Sequence, residues 1–428
     1  MKRNLSIKYA LLLLTGMTTL TAAAQRAYTL EECLQLSLEN NVRIKNARND
    51  MQISEQERKE AFTKYFPSIS AGGAGFVANK GLVEMELAHM MQMSMAKDGI
   101  IAGVSAGVPL FAGGQIVNAN KLSRVSVEAS RLQYRQSENE VRLTTESYFW
   151  QIVMLKEKQR TLTVVETQLD TLYKDAEASV EAGIATRNDL LQVQLKRNEV
   201  QSRRIQIENA LNLSRMALSQ YIGAESDSLD VAFVLTDSLP LSPERLFVDP
   251  RSALAETNEY RLLCQNVKAT RLQKKMAIGK HLPTVAIGGA YAYDNITDHD
   301  HPFWIGFATV SVPLSDWWGG AHSIRKHKLQ VINAENTLND NSEQLIIRMQ
   351  QTWNDMNDAY KQVVIAHSSI EQAEENLRLN TDYYLAGTCT MNDWLDAQSL
   401  YQQSRDKYIE SYAGFEIKKR EYLQATGR

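Results

Sequence analysis

The stretch "AGIATRNDLLQVQ", Ala182–Gln194, sits in the proline-free run 115–222 and holds that run's one glycine, Gly183. "AGTCTMNDWLDAQ", Ala386–Gln398, lies 204 residues later and repeats its Ala-Gly, Thr, Asn-Asp, Leu and Gln. A glycine in helix-forming sequence supplies the left-handed or flexible backbone that ends a helix. Thr186 and Thr390, or Asn188 and Asn392, are available to cap a following helix. Each stretch therefore predicts a turn between two helices.

Working outward, the surroundings of the two turns also match. "FPSISAGGAGFVAN" (Phe66–Asn79) aligns with "LPTVAIGGAYAYDN" (Leu282–Asn295), and "GVPLFAGG" (Gly107–Gly114) with "SVPLSDWWGG" (Ser311–Gly320). "YIG" ending at Gly223 aligns with "ATG" ending at Gly427. The order is kept, so the chain is one unit written twice: residues 25–223 and 251–428. Each copy reads helix, strand, strand, long helix, turn, helix. Residues 224–250 join them and hold Pro240, Pro243 and Pro250, as suits a connector.

Proline marks where helix can run. Pro67 and Pro283 stand where strands begin, Pro109 and Pro313 near where strands end, and none lies between Pro109 and Pro240 or after Pro313. Residues 115–181 lack both Gly and Pro, which predicts a helix ~100 Å long. Residues 321–385 repeat this. Apolar residues recur every seventh position: Val141, Tyr148, Leu155, Leu162, Leu169, Ala176, and then Met349, Met356, Val363, Ile370, Leu377, Tyr384. Such a narrow row is the seam of a left-handed coiled coil. A compact domain has little use for helices this long, so the length suggests an object crossing a wide space.

The segments between the helices read as strands. Ile100, Ala102, Val104, Ala106, Val108 and Leu110 share one face, with Ser105 and Gly107 opposite. Val285, Ile287, Tyr291 and Tyr293 share a face, and so do Trp304, Ala308, Val310 and Val312, with Thr309 and Ser311 opposite. Apolar-out, small-polar-in strands of ten to twelve residues suit a lipid-facing barrel, and Tyr and Trp near strand ends suit its interfaces. A soluble hairpin on a core has the same periodicity. Four strands cannot close a barrel, and open edges in lipid are prohibitive, so the barrel reading requires several chains to share one barrel.

The first 25 residues read as a secretory signal peptide, residues 1–24. Lys2, Arg3 and Lys8 precede the apolar "YALLLLTGMTTL", and Ala22-x-Ala24 forms the cleavage site, so the mature chain is expected to start at Gln25 or Arg26. The apolar run is too short to span a bilayer. No Cys follows it, so no lipid is expected there. Cleavage takes the net charge from −3 to −6, three positive charges being removed. An acidic chain without basic runs is a poor nucleic-acid binder. Cys33, Cys264 and Cys389 are odd in number and far apart, which argues against a disulfide framework.

Taken together, the duplicated helix–strand–strand–helix order, the "VPLFAGG" exit from the strands and the Gly-x-x-Thr-x-x-Asp-Leu-Leu turn resemble the TolC family of outer-membrane efflux proteins. The resemblance runs from about Tyr28 to Gly427. It implies a membrane α+β fold in the outer membrane of a Gram-negative-type bacterium. Three chains would form a twelve-stranded barrel continued by a helical periplasmic tunnel, with 30–65, 251–281 and the linker thickening its middle. It implies no chemistry and no cofactor. The homotrimer would be a passive duct for small molecules (drugs, toxic compounds or metal ions), set in outer-membrane lipid. Its partners would be a periplasmic adaptor and an inner-membrane pump of the resistance-nodulation-division or ABC class. At the tip, Asp393 and Asp396 match the acidic residues ringing the family's entrance, and Asp189 and Tyr384 match residues that hold it shut. Gly183, Thr186, Gly387 and Thr390 fall where the adaptor docks. Some members carry Arg two residues after the second tip glycine; here that position is Cys389. For Asp393 and Asp396 a helix-start reading stands beside the entrance reading, since negative charge there also favours the helix dipole.

Other functions fit the sequence less well. "DHDHP" (Asp298–Pro302) and "HMMQMSM" (His89–Met95) hold metal-ligating residue types in predicted outer loops but lack a fixed ligand spacing, so no metal site is assigned. There is no Gly-x-Ser-x-Gly, His-Glu-x-x-His or P-loop, and "AGGAG" lies in a strand, so the reading is not an enzyme. A periplasmic coiled coil would explain the heptads but not the strands or matched prolines. A duct for secreted proteins is the alternative within transport.

Overall fold

The computed structural model describes residues 26–80, 83–87, 91–95, 97–224, 229–233, 238–296 and 300–428. The expected signal peptide lies outside these, as do His89, Met90, Asp298 and His299. In chain order the elements are β1 (Arg26–Tyr28), α1 (Leu30–Asn40), α2 (Val42–Thr63), β2 (Ser68–Val77), β3 (Val83–Leu87), β4 (Met91–Met95) and β5 (Asp98–Ala112). Next come α3 (Gln115–Glu181), α4 (Arg187–Ile222), β6 (Leu229–Val231), α5 (Asn258–Lys280), β7 (Thr284–Asp294), β8 (His301–Ser311), α6 (Asp316–Leu385) and α7 (Met391–Ala425). Two compact units emerge, and each draws on both repeats.

One unit comprises 46–136 and 251–347 and holds a four-stranded sheet in the order β2-β5-β7-β8. Every pairing is antiparallel, and β5 against β7 joins the two repeats. The register confirms the shared face: Val104 stands opposite Tyr291 and Tyr291 opposite Trp304, so the apolar residues form one continuous band. On the other face Ser70 and Ser105 hydroxyls meet at 2.9 Å among Gly72, Gly103, Ala290 and Ala292. β8 departs from the expected alternation. Phe303, Ile305 and Phe307 occupy its second face, and Phe307 lies over Gly288, where a Cβ would come within 2.8 Å of its ring.

The prolines and glycines mark the junctions. Pro67 and Pro283 immediately precede β2 and β7, while Pro109 falls inside β5, where the register shifts before Phe111. A proline at a bulge forfeits no ladder hydrogen bond. Gly113 and Gly114 turn the chain into α3 with φ of 58° and 74°. The aligned Gly319 and Gly320 behave differently: they lie within α6, which starts at Asp316 rather than after the glycines. The expected single helix 30–65 is two helices, broken at Asn41, and 251–281 begins with two short turns before α5. α2 belongs with the strands: Asn120 donates to the Ala61 carbonyl at 2.8 Å, and Arg131 meets Glu55 at 3.1 Å.

The other unit comprises 26–45, 137–250 and 348–428 among described residues. Its core is the predicted seam. Val141, Leu155, Leu162, Leu169, Ala176, Met349, Met356, Val363 and Leu377 are buried. The returning helices fill it with Val193, Val200, Met391 and Trp394. The linker is more than a connector. β6 pairs in parallel with β1, Lys156 and Arg215 hold Asp230 at 2.8 and 3.0 Å, and Val248 N–H donates to Tyr422 Oη.

Candidate functional site at the helix turns

Both turns are built the same way. Gly183 and Gly387 have φ of 72° and 71°, the left-handed region that suits glycine. Ile184 N–H reaches back to the Ser179 carbonyl, and Thr388 N–H to the Tyr383 carbonyl, each at 2.9 Å. These six-residue closures satisfy carbonyls at a helix end. No atom lies within 4 Å of a Cβ placed on either glycine, so backbone angle alone calls for glycine there.

The caps are the threonines, not the asparagines. Thr186 and Thr390 are extended, and their hydroxyls accept from the amides of Asp189 and Asp393 at 3.3 and 3.2 Å. The aspartates answer. Asp189 Oδ2 accepts from Thr186 N and Oγ1 at 3.0 and 2.8 Å, and Asp393 Oδ2 from Thr390 N and Oγ1 at 2.8 and 2.6 Å. This is a reciprocal capping box. The hydrogen bonds from the Thr390 side chain and backbone hold the Asp393 carboxyl below its ordinary range.

The remaining residues differ in what they offer. Asp396, one turn on from Asn392, is exposed and accepts only from Asn392 Nδ2, at 3.2 Å. Tyr384 is half-buried; burial raises its hydroxyl pKa, and the charges of Asp189 and Asp175 add to this. Cys389 turns its thiol to the Asn380 carbonyl at 3.4 Å, and burial, with Asp393 nearby, makes it a poor thiolate. The two turns flank a groove of about 820 Å³ lined by Asp175, Asp189, Tyr384, Cys389, Met391 and Trp394. Trp394, whose indole N–H donates to Thr381 Oγ1 at 2.9 Å, escaped the sequence reading. Its signal was present as the large residue replacing Leu190 of the first copy.

Metal-ligand types in the outer hairpin are engaged with one another. Asp300 accepts from the Tyr293 hydroxyl at 2.5 Å, and His301 Nδ1 faces Asp294 at 3.4 Å. Among the described residues no group of three His, Cys, Asp or Glu could hold a metal ion. "HMMQMSM" contributes β4, paired with β3 in a two-stranded hairpin, where a loop was expected.

Residues 33–224 match the family model described as "Outer membrane efflux protein". No curated protein matches the chain in sequence. Solved structures with the same fold include the outer membrane protein VceC of Vibrio cholerae, 13% identical, covering 93% of this chain and 96% of that one, TM-score 0.78. The Campylobacter jejuni CmeC outer membrane channel is 13% identical over 93% and 85%, TM-score 0.77. The Neisseria gonorrhoeae MtrE outer membrane channel is 13% identical over 96% and 93%, TM-score 0.74.

Proposed function

We propose that this chain, a member of the outer membrane efflux protein family, is the outer-membrane exit duct of a tripartite efflux system. The family is one of efflux channels, not of enzymes, and its members reside in the outer membrane. In the proposal three copies complete one twelve-stranded barrel, and an inner-membrane pump delivers small molecules to it through a periplasmic adaptor. One observation carries the reading. Among the described residues the sheet has four strands, with β2 and β8 as edges, and strands of 10–15 residues. Such strands reach across a membrane, where an unpaired edge is forbidden. Other copies of the chain are the natural partners for both edges.

The turns are the proposed adaptor-docking surface, through Gly183, Thr186, Gly387 and Thr390, and the proposed entrance, through Asp189, Tyr384, Asp393 and Asp396. The capping boxes divide these roles. Asp189 and Asp393 spend their carboxylates on the turn backbone. Asp396 is exposed and takes no part in the capping box, so it is left to face whatever passes. Carboxylates ringing a narrow mouth favour cations.

Purified trimer in planar bilayers tests both parts. Cation selectivity is expected to fall in Asp396→Asn and to change less in Asp393→Asn. Unchanged selectivity in Asp396→Asn at low salt, where screening is weakest, removes the entrance role. A monodisperse monomer that still forms pores sinks the shared barrel.

A further inference from the structure

The end of α5 and the start of α6 lie side by side next to the strands. Arg271 meets Glu335 at 2.6 Å, and the His281 ring packs on Gly320, where a Cβ would come within 3.0 Å. From Tyr260 to Pro283 the chain holds six Lys and Arg, from Trp317 to Ala334 three more, and neither stretch holds an Asp or Glu. His281, His322 and His327 fall in the same stretches. Arg261 and Arg271 have acidic partners. Lys268, Lys274, Lys275, Lys280, Arg325, Lys326 and Lys328 have no ion pair among the described residues. For a chain of net charge −3 this is a concentration of positive charge at the end of α5 and the start of α6.

The fold does not demand it. At the matching junction of the first repeat, Glu55 pairs with Arg58 and Arg131 at 2.9 and 3.1 Å, and Glu128 lies 3.8 Å from Arg131. Balanced charge serves there. Large apolar side chains are interleaved with the basic ones in the second repeat: Trp318 is 84% exposed and Leu329 54%. Long cations beside exposed Trp and Leu suit a headgroup region, where the stems lie on apolar surface and the charged heads reach water and phosphate.

We propose that this face of α5 and α6 binds the anionic phospholipid headgroups of the periplasm-facing leaflet, forming a collar where the barrel leaves the membrane. The inference rests on the outer-membrane reading above. Basic clusters of about 4–8 residues beside a membrane segment attract anionic lipid, and salt weakens the attraction.

The test uses purified trimer in nanodiscs of phosphatidylcholine with and without phosphatidylglycerol, reading retained lipid by native mass spectrometry. Wild type is expected to retain phosphatidylglycerol in preference. Changing Lys274, Lys275, Lys280, Arg325, Lys326 and Lys328 together to Gln is expected to reduce that preference about tenfold. Changing Lys59, Lys64, Lys121 and Arg124 to Gln is expected to leave it. If the sixfold variant assembles poorly, K274Q/K275Q/K280Q provides the same comparison. An unaltered preference in these variants overturns the proposal. So does a shift of ion selectivity in planar bilayers with lipid retention intact, which would put the face in the duct and make dissolved anions its ligands. Wild type that fails to insert into any bilayer overturns the outer-membrane reading, and the collar with it.

Discussion

Replacing the tip glycines separates what the turn needs from what its partner needs. Gly387 has φ of 71° and open space where a Cβ would go, so Gly387→Ala costs only backbone strain. That strain is about 1–2 kcal/mol for an L-residue. Loss of unfolded-state freedom returns about 0.4–1 kcal/mol, leaving a net cost of about 1 kcal/mol. For a chain this size the melting temperature should fall by about 2–4 °C or less. Asn should cost less than Ala because it tolerates the left-handed region, and Val more. The same order is expected at Gly183, whose φ is 72°. The assay pairs heat stability of the detergent-solubilised trimer with drug export in a host lacking its own outer-membrane channel. The Val variants should keep the trimer and lose export. Collapse of the trimer on Gly387→Ala would show that something packs against the glycine, refuting the argument from open space. Full export by both Val variants would remove the turns from adaptor docking.

Other substitutions probe neighbouring claims. Gly113→Ala should cost about 4 kcal/mol or more and prevent recovery of folded trimer, since its φ is 58° and a Cβ would run into the Gly279 carbonyl. Thr186→Ala removes a cap worth about 1 kcal/mol, so trypsin should cut after Arg187 about fivefold faster. Asp230→Asn should destabilise by about 1–3 kcal/mol through loss of the Lys156 and Arg215 contacts, measured by thermal melts. Burial alone would raise the Asp230 pKa, but hydrogen bonds from Lys156, Arg215 and the Val231 amide bring it below the ordinary 3.8. Its stabilisation is therefore full above that value and lost as pH falls through the lowered one, so Asp230→Asn should flatten the loss of stability as pH falls below about 4.

The parts of the fold that repeat, or that follow a long period, were legible in the sequence. Rows of seven named the buried seam, and the paired Gly–Thr–Asp stretches named the turns. Which residue caps was open between Thr and Asn, because both supply the acceptor; the aspartate three residues after each Thr decides it, through a reciprocal bond a residue count cannot reveal. The same bond explains why Asp393 and Asp396, alike in sequence, differ in what they present. Gly319–Gly320 aligned with Gly113–Gly114 yet stayed helical, and the His281 ring packs where a Cβ on Gly320 would go. Phe307 broke the alternation in β8 where Gly288 makes room across the strand, and Phe303 stands opposite the small Ala292, pairings seen only once register is known. The three-residue β1 and β6 carry no periodic signal at all.

That short ladder orders the chain's assembly in time. β1 starts at Arg26, and its partner β6 starts at Leu229. Asn40 and Asn41 likewise give their side-chain amides to the carbonyls of Ile222 and Tyr221. A chain emerging N-terminus first must therefore hold residues 26–41 without these neighbours until about two hundred more have crossed. The 67-residue α3 has to form in that interval, and late closure over such a separation is slow. Waiting is thus built into the biogenesis of this protein, and the waiting segment includes Cys33, which ends fully enclosed. Pulse-labelling of that thiol during export times the closure directly.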